Sequence, residues 1–198
     1  MFNHFYYEAR LILEMKKKVI ICKKFVRMKR AHTIMLEMLQ QRKYKVTEDE
    51  DTQILATKPN GDPVVVFFSD TPKFNVKSIQ MYISNMNELK VFHSIIVYKN
   101  GITAFTKKAI AQSVEMTFEL FSQQDLQYNV TKHRLQPQFI KLPPEEAVEF
   151  KKQYGSRFGV IRGDDPVSRF YAYNRGDVIR VIRGSGPTEF VTYRIVHG

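Results

Sequence analysis

Two continuous apolar runs constrain the fold of this chain most strongly. Val64–Phe68 and Val91–Tyr98 are rich in β-branched and aromatic residues, which favour strands buried on both faces. Between the two runs, the apolar residues of 76–89 recur at three- and four-residue steps, which predicts a helix. Strand, helix and strand in this order predict a βαβ-like core, with helices packed against a mixed sheet.

Weaker patterns extend this core on both sides. The apolar residues of 24–43 have helical spacing, and 52–57 alternates like a strand. The turn sequence Pro59-Asn60-Gly61-Asp62 joins that strand to the first apolar run, which predicts a hairpin. After the second run we expect a short helix near 107–112 and a strand near 114–121.

A smaller second domain is predicted from residue 129 onward. Few periodic signals follow residue 122, so we place the domains at 1–128 and 129–198. Within the second domain, Pro143-Pro144-Glu145-Glu146 opens a helix and Asp165-Pro166 caps another. The predicted fold class is therefore α+β: a mixed sheet with flanking helices, then a small domain of short helices on a β-sheet.

The charge of the chain favours a polyanion or an acidic protein as partner. Its 198 residues include 31 Lys+Arg and 20 Asp+Glu, a net charge of +11. Lys16–Arg30 is basic without any acid, whereas every Lys or Arg after Lys152 is Arg. Lys suits solvated faces, and Arg suits fixed ion pairs at interfaces. A solvated helix face is the ordinary alternative for the Lys-rich run.

Cysteine content and hydropathy indicate an intracellular protein without a membrane partner. One Cys cannot form an internal disulfide, which excludes a disulfide-stapled secreted scaffold. No apolar run approaches the roughly 20 residues that span a bilayer. Leu11–Leu13 is interrupted by Glu14 and then by Lys16–Lys18, so the N-terminus lacks the pattern of a signal peptide.

The sequence lacks the usual motifs for cofactors and metals. No His pairs with another His or with Cys22 at metal-ligand spacing, and no Gly-rich loop opens a helix. We therefore expect no cofactor and no metal. One catalytic alternative is a Mg²⁺-dependent nuclease, in which Asp62 or Asp70 acts with Glu88 and Lys90. Glu88, however, falls at the end of the predicted helix rather than on a strand.

The turn after the second apolar run has phosphate-binding chemistry. Three Lys and two Thr surround Asn100-Gly101 between Lys99 and Lys108. Such groups position a protein on nucleic acid without reading its sequence, although an ordinary polar turn has the same composition. A third functional class is a free-standing basic nucleic-acid-binding protein that uses the run Lys16–Arg30.

The order of motifs in the second domain resembles a known family. These motifs are His133-Arg134-Leu135-Gln136-Pro137, Asp165-Pro166, Arg175–Arg183 and Thr192–Val196. Together they resemble the shared subunit five of nuclear DNA-directed RNA polymerases, whose C-terminal module corresponds to a small subunit of the archaeal polymerase.

The first domain resembles the same family more weakly. Arg42-Lys43-Tyr44 is similar to the family's Arg-Gly-Tyr turn after the first helix. Phe74–Lys77 and Ile96–Thr103 are similar to segments of its jaw domain. The resemblance therefore covers residues 24–196.

The resemblance implies a non-catalytic polymerase subunit. Its first domain would be a jaw with a nuclease-like but inactive core, beside the downstream DNA duplex and without sequence-specific contacts. Its second would be an assembly domain that docks on the largest subunit, next to neighbouring small subunits, and no homo-oligomer is expected. The predicted DNA-proximal residues are Lys99, Asn100, Ile102, Thr103, Ala104, Lys107 and Lys108. The predicted subunit-interface residues are His133, Asp165, Pro166, Arg169, Arg175, Gly176, Arg180, Arg183, Tyr193 and Arg194.

Departures from the family pattern indicate a divergent member. The family's Thr-Pro-Ser-Ala loop is Thr103-Ala104-Phe105-Thr106 here, and its Pro-Arg before the Asp-Pro pair is Gly159-Val160. Met1–Lys23 has no counterpart in the family. Such divergence suggests a polymerase encoded by a large DNA virus. The expected location follows the polymerase: the nucleus for a cellular protein, the virion and host cytoplasm for a viral one.

Overall fold

The uninterrupted apolar run Val64–Phe68 lies at the centre of a sheet, and all five of its residues are buried. We analysed a computed structural model, which describes residues 26–71, 74–113, 115–155, 158–184 and 188–198. The described residues divide into two compact units between Tyr128 and Asn129. The predicted extension Met1–Lys23 and the Lys-rich part of the run up to Lys24 lie outside the described residues.

The first unit contains a five-stranded mixed sheet in the order β1-β2-β3-β4-β5. Its strands are β1 (Lys45–Asp49), β2 (Gln53–Thr57), β3 (Pro63–Phe68), β4 (His93–Tyr98) and β5 (Thr117–Ser122). The first three strands pair antiparallel, and β3, β4 and β5 pair parallel. The hairpin and the mixed sheet predicted from the sequence are both present.

Helices cover both faces of this sheet. They are α1 (26–41), α2 (Val76–Leu89) and α3 (Ala104–Ala111). Ile79, Tyr82 and Met86 of α2 pack with Phe67 of β3 in one core cluster. Phe68 points to the opposite face because side chains alternate along a strand. There its ring lies 5.0 Å from that of His32 on α1.

Two elements of the first unit differ from the sequence prediction. β1 was not predicted, since all five of its residues are exposed and it lacks an apolar face to mark it. The helix α3 begins at Ala104 instead of near Lys107. Thr103 explains this difference, because its side chain accepts a hydrogen bond from the Thr106 N–H and so starts the helix earlier.

The second unit contains a four-stranded sheet in the order β6-β8-β9-β7. Its strands are β6 (Gln138–Lys141), β7 (Gly159–Arg162), β8 (Val178–Arg183) and β9 (Phe190–His197). β7 pairs parallel with β9, and the other two pairings are antiparallel. Neither β6 nor β7 was predicted, because each has only four residues and stands at an edge.

Two short helices accompany the second sheet, as the sequence predicted: α4 (Pro144–Tyr154) and α5 (Pro166–Tyr171). The 3₁₀ turn Val130–Lys132 was not predicted. Ala147 of α4 packs with Leu142 and Val178 against one face of the sheet. Ile161, Ile179 and Val181 form a second cluster. In the described part of the chain, no helix is long and apolar enough to cross a membrane.

Candidate nucleic-acid and subunit interfaces

The turn after β4 presents polar and cationic groups on a rigid frame. Ile102 bridges to Phe74 and packs its side chain into the core cluster of α2. The hydroxyl oxygens of Thr103 and Thr106 lie 2.7 Å apart, and Thr106 is completely buried. These contacts fix the first turn of α3, so the side chains around it are held in defined directions.

Five of the predicted DNA-proximal residues share this exposed surface. They are Asn100, Thr103, Ala104, Lys107 and Lys108. Lys99 is half-buried, with its Nζ 3.5 Å from a carboxylate oxygen of Asp70. Ile102 faces inward and serves as an anchor for the turn. We refer to residues 99–108 as the phosphate turn.

Asp70, Glu88 and Lys90 of the nuclease alternative do not come together at one end of the sheet, whereas Asp62 lies in the turn before β3. Asp70 follows the end of β3, whereas Glu88 and Lys90 precede the start of β4. Because β3 and β4 run parallel, the end of β3 and the start of β4 lie at opposite ends of the strands. Within the described ranges, no group of three His, Cys, Asp or Glu side chains is placed to hold a metal ion. The geometry therefore separates Asp70 from the other two residues.

A buried ion cluster fastens α1 to the sheet in this unit. Arg42 donates two hydrogen bonds to Glu119 on β5, of 3.0 and 2.7 Å, and Nε2 of His93 donates a third of 2.8 Å. Burial alone would raise the pKa of Glu119, but these hydrogen bonds and the Arg42 charge outweigh it and lower the pKa to about 2. Glu119 is thus a carboxylate at neutral pH. Its partners lie 77 and 26 residues away in sequence, so no local pattern pointed to them.

The turn Arg42-Lys43-Tyr44 closes α1 in a Schellman motif. The Tyr44 N–H bonds to the Leu39 carbonyl and the Lys43 N–H to the Gln40 carbonyl, each at 2.9 Å. Lys43 has φ of 60°, the left-handed conformation that glycine adopts without strain. The left-handed conformation explains the Gly of the family's Arg-Gly-Tyr turn, and the present chain has Lys43 in its place.

In the second unit, the Asp165-Pro166 pair acts locally as a helix start. The Asp165 carboxylate accepts a hydrogen bond of 2.9 Å from the Val167 N–H, and Pro166 occupies the first helical position. Arg169 lies in the last turn of the same helix. His133 follows the 3₁₀ turn, which contacts α5, and its Nδ1 accepts a hydrogen bond of 3.3 Å from the Leu135 N–H.

Two lysines fasten the turn that carries Arg175 and Gly176. Lys151 Nζ donates to the Gly176 carbonyl at 2.6 Å, and Lys141 Nζ lies 2.7 Å from the Asp177 carboxylate. Gly176 has φ of 88°, so a side chain there would strain the turn. Arg175 is exposed at the tip of this turn.

An open groove of about 840 Å³ brings together three of the predicted interface residues, Arg183, Tyr193 and Arg194. Its aromatic floor centres on Phe150, whose ring lies 4.3 Å from Tyr193 and 4.8 Å from both Tyr154 and Phe158. We refer to this feature, which the sequence did not predict, as the aromatic groove. Its combination of guanidinium groups and aromatic rings is typical of the centres of protein interfaces.

Arg180 pairs with Tyr193 across β8 and β9, so both side chains point to the same face of the sheet. Its Nε is buried and, within the part of the chain that the structure describes, has no hydrogen-bond partner. An unpaired buried donor costs free energy, so a side-chain movement that brings Nε to an acceptor would stabilise it. The ten predicted interface residues therefore occupy three regions: α5 with His133 at the end of the neighbouring 3₁₀ turn, the Arg175 turn, and the aromatic groove with Arg180.

Comparison with known proteins identifies the family. Residues 128–196 match the family model described as RNA polymerase Rpb5, C-terminal domain. A Dictyostelium discoideum protein named "DNA-directed RNA polymerases I, II, and III subunit rpabc1" is 34% identical over 181 residues, covering 81% of this chain and 92% of that protein. This chain belongs to the Rpb5 family. The resemblance found in the sequence is confirmed.

Other relatives extend the family to a virus. A Caenorhabditis elegans protein named "DNA-directed RNA polymerases I, II, and III subunit RPABC1" is 30% identical over 201 residues, covering 86% of this chain and 95% of that protein. An Invertebrate iridescent virus 6 protein named "Putative DNA-directed RNA polymerase subunit 454R" is 32% identical over 185 residues, covering 84% and 98%. The expectation of a non-catalytic polymerase subunit, instead of a nuclease, is thus confirmed.

Proposed function

We propose that this Rpb5-family chain joins its two units to two different surfaces of a multisubunit RNA polymerase. The second unit (129–198) docks on the largest subunit, next to neighbouring small subunits, as an assembly domain. The first unit (1–128) is the jaw, and its phosphate turn lies beside the downstream DNA duplex without sequence-specific contacts. In a viral setting the chain resides with its polymerase in the virion and the host cytoplasm.

The unpaired Nε of Arg180 carries the docking proposal. A buried donor without an acceptor is costly in the free chain, and docking that moves the Arg180 side chain onto a partner's carboxylate or carbonyl removes that cost. Tyr193 of the aromatic groove lies on the same face of the sheet as Arg180, and its ring packs with Phe150 to add apolar area for a partner to cover. An apolar floor beside Arg183 and Arg194 therefore fits a partner segment that carries both acidic and apolar residues.

A pull-down tests the docking proposal. The tagged full chain is expected to co-purify with the two largest polymerase subunits. Arg183→Glu reverses an exposed charge in the groove, and we expect it to reduce their recovery about tenfold or more, since like charges at an interface cost several kcal/mol. The matched control is Arg162→Glu, which reverses an exposed Arg outside the groove. Equal recovery with both variants would contradict the groove assignment, and a wild-type chain that recovers neither large subunit would contradict the polymerase role.

The exposed lysines of the phosphate turn support the placement of the jaw. Lys107 and Lys108 follow a turn whose direction is fixed by buried Thr106. Lys side chains of this kind attract duplex DNA through its phosphates without selecting a sequence.

Photo-crosslinking tests the position of the jaw. A photo-reactive amino acid at exposed Ala104, in a polymerase assembled on a DNA scaffold, is expected to crosslink to the downstream duplex. The same amino acid at Phe92 provides the control, because Phe92 is exposed at the opposite end of β4. Crosslinking from Phe92 but not from Ala104 would place the opposite end of β4 beside the DNA and contradict the proposed position of the jaw.

A further inference from the structure

The phosphate turn has one large apolar side chain, Phe105, that is exposed among polar and cationic residues. Phe105 is 73% exposed and is the most exposed aromatic residue in the described part of the chain. It stands at the second position of α3, and its neighbour Thr106 is completely buried. Because consecutive helical residues point about 100° apart, the buried Thr106 holds the Phe105 ring outward.

We propose that Phe105 is a wedge that inserts its ring into a groove of duplex DNA, between neighbouring base pairs. This inference rests on the proposed position of the jaw and adds a second kind of contact to it. Apolar side chains such as Phe, Leu, Ile and Met partly unstack a base step when they enter the minor groove. The sequence pattern assigned Lys and Thr to the DNA and gave no role to Phe105.

The surroundings of the ring favour duplex over single-stranded nucleic acid. Single strands are bound by several aromatic side chains in succession along a basic groove. On the phosphate turn Phe105 is the one aromatic residue, and nearby Phe74 is buried in the core. One ring, followed in the same helix by Lys107 and Lys108, therefore fits a single insertion beside phosphates that the lysines bind.

The framework of the turn is suited to such a contact. Thr103 caps α3 through the Thr106 N–H, and Ile102 joins the turn to the core cluster. The backbone that carries the ring is therefore already ordered in the free protein, and little backbone entropy is lost on binding. Lys99, at the other end of the turn, pairs with Asp70. Lys107 and Lys108 are the cations nearest to Phe105 in sequence.

Wedge and lysine contacts respond differently to salt, which provides the test. The affinity of the full chain for a duplex oligonucleotide is measured by fluorescence anisotropy over a range of salt concentrations. We expect Phe105→Ala to weaken binding about five- to tenfold at every salt concentration, with an unchanged salt slope, because an apolar contact releases no counterions. Lys107→Gln is expected to make the logarithmic slope shallower by about 0.9.

Two further variants make the test specific. Phe105→Leu keeps an apolar wedge and is expected to retain most of the wild-type affinity. Phe92→Ala removes another exposed Phe, at the opposite end of β4, and is expected to have no effect. Thermal melting checks that the variants are folded.

Each alternative result identifies which idea fails. Wild-type affinity in Phe105→Ala, together with a shallower slope in Lys107→Gln, would overturn the wedge and leave the jaw position intact. Wild-type affinity in both variants would overturn the assignment of the phosphate turn to DNA. A Phe105→Leu variant as weak as Phe105→Ala would show ring stacking on a base and overturn insertion.

Discussion

The ion cluster of Arg42, His93 and Glu119 makes a quantitative prediction about the stability of the first unit. The Arg42 side chain is 2% exposed and that of Glu119 is 17% exposed, so water screens their interaction weakly. Glu119→Gln keeps the size of the side chain but removes the negative charge that accepts two hydrogen bonds from the buried Arg42 guanidinium. Breaking a buried pair in this way costs about 3–5 kcal/mol.

The pKa of Glu119 leads independently to a similar figure. It falls from an ordinary value of 4.5 to about 2 in the folded chain. At 1.36 kcal/mol per pKa unit, the charged carboxylate contributes about 3 kcal/mol to the free energy of unfolding. Because the folded pKa is depressed, this contribution is fully present above the unfolded pKa near 4.5. It is lost as the pH falls from there toward 2.

Hydrogen exchange during urea unfolding provides the assay, because peptides of β3, β4 and β5 report on the first unit separately from the second. We expect Glu119→Gln to lower the free energy of unfolding of these strands by about 3–5 kcal/mol at pH 7. The wild type loses stability as the pH falls from 4.5 to 2, and we expect the Glu119→Gln variant to show little of this loss. A loss below about 1 kcal/mol at pH 7, or an unchanged pH profile, would refute the reasoning.

Three further predictions concern the ends of helices. Lys43→Gly is expected to stabilise the first unit by about 0.5–1 kcal/mol in chemical denaturation. The roughly 1–2 kcal/mol of left-handed strain relieved exceeds the roughly 0.4–1 kcal/mol of added chain entropy in the unfolded state. Asp165→Ala should cost about 1 kcal/mol in the second unit, because the Val167 N–H loses its cap. The adjacent Asp164→Ala removes only an exposed pair with Arg162 and should leave the melting temperature unchanged.

The parts of the fold that sequence predicted are those that local physics determines. The run in β3 has no polar residue, so only a strand buried on both faces satisfies it. The helix 76–89 has apolar residues at every turn, and the structure gives it the same bounds. Pro143 and Pro144 with two acids define the start of α4 for the same reason, since Pro and negative charge both favour a helix N-terminus.

The parts that sequence missed depend on distant partners or on strain. The exposed strand β1 is held by its pairing with β2 and carries no apolar face of its own. The sequence did not predict the left-handed residues Lys43, Lys90 and Ala172 that follow α1, α2 and α5, because glycine is the usual signal for such positions. Each of these helices closes by hydrogen bonds to its last turn in spite of that strain.

The candidate sites show the same division. The phosphate turn was predictable because Lys, Thr and Asn-Gly lie next to one another in sequence. The aromatic groove was not, since its rings come from α4, the segment before β7, and β9. Phe105 was visible in the sequence, but only its exposure distinguishes it from a core residue.

The roles of lysine and arginine in the second unit are more specific than their average chemistry suggests. The sequence pattern gave Lys to solvated faces, yet Lys141 and Lys151 hold the turn at Gly176 through short internal contacts. Arg162 pairs with Asp164 in full solvent, where such a bridge adds little stability. Arg180, by contrast, buries an Nε with no acceptor in the described chain. Cations already satisfied within the unit have less to gain from a partner, so Arg180 is a better guide to the docking surface than the net charge of +11.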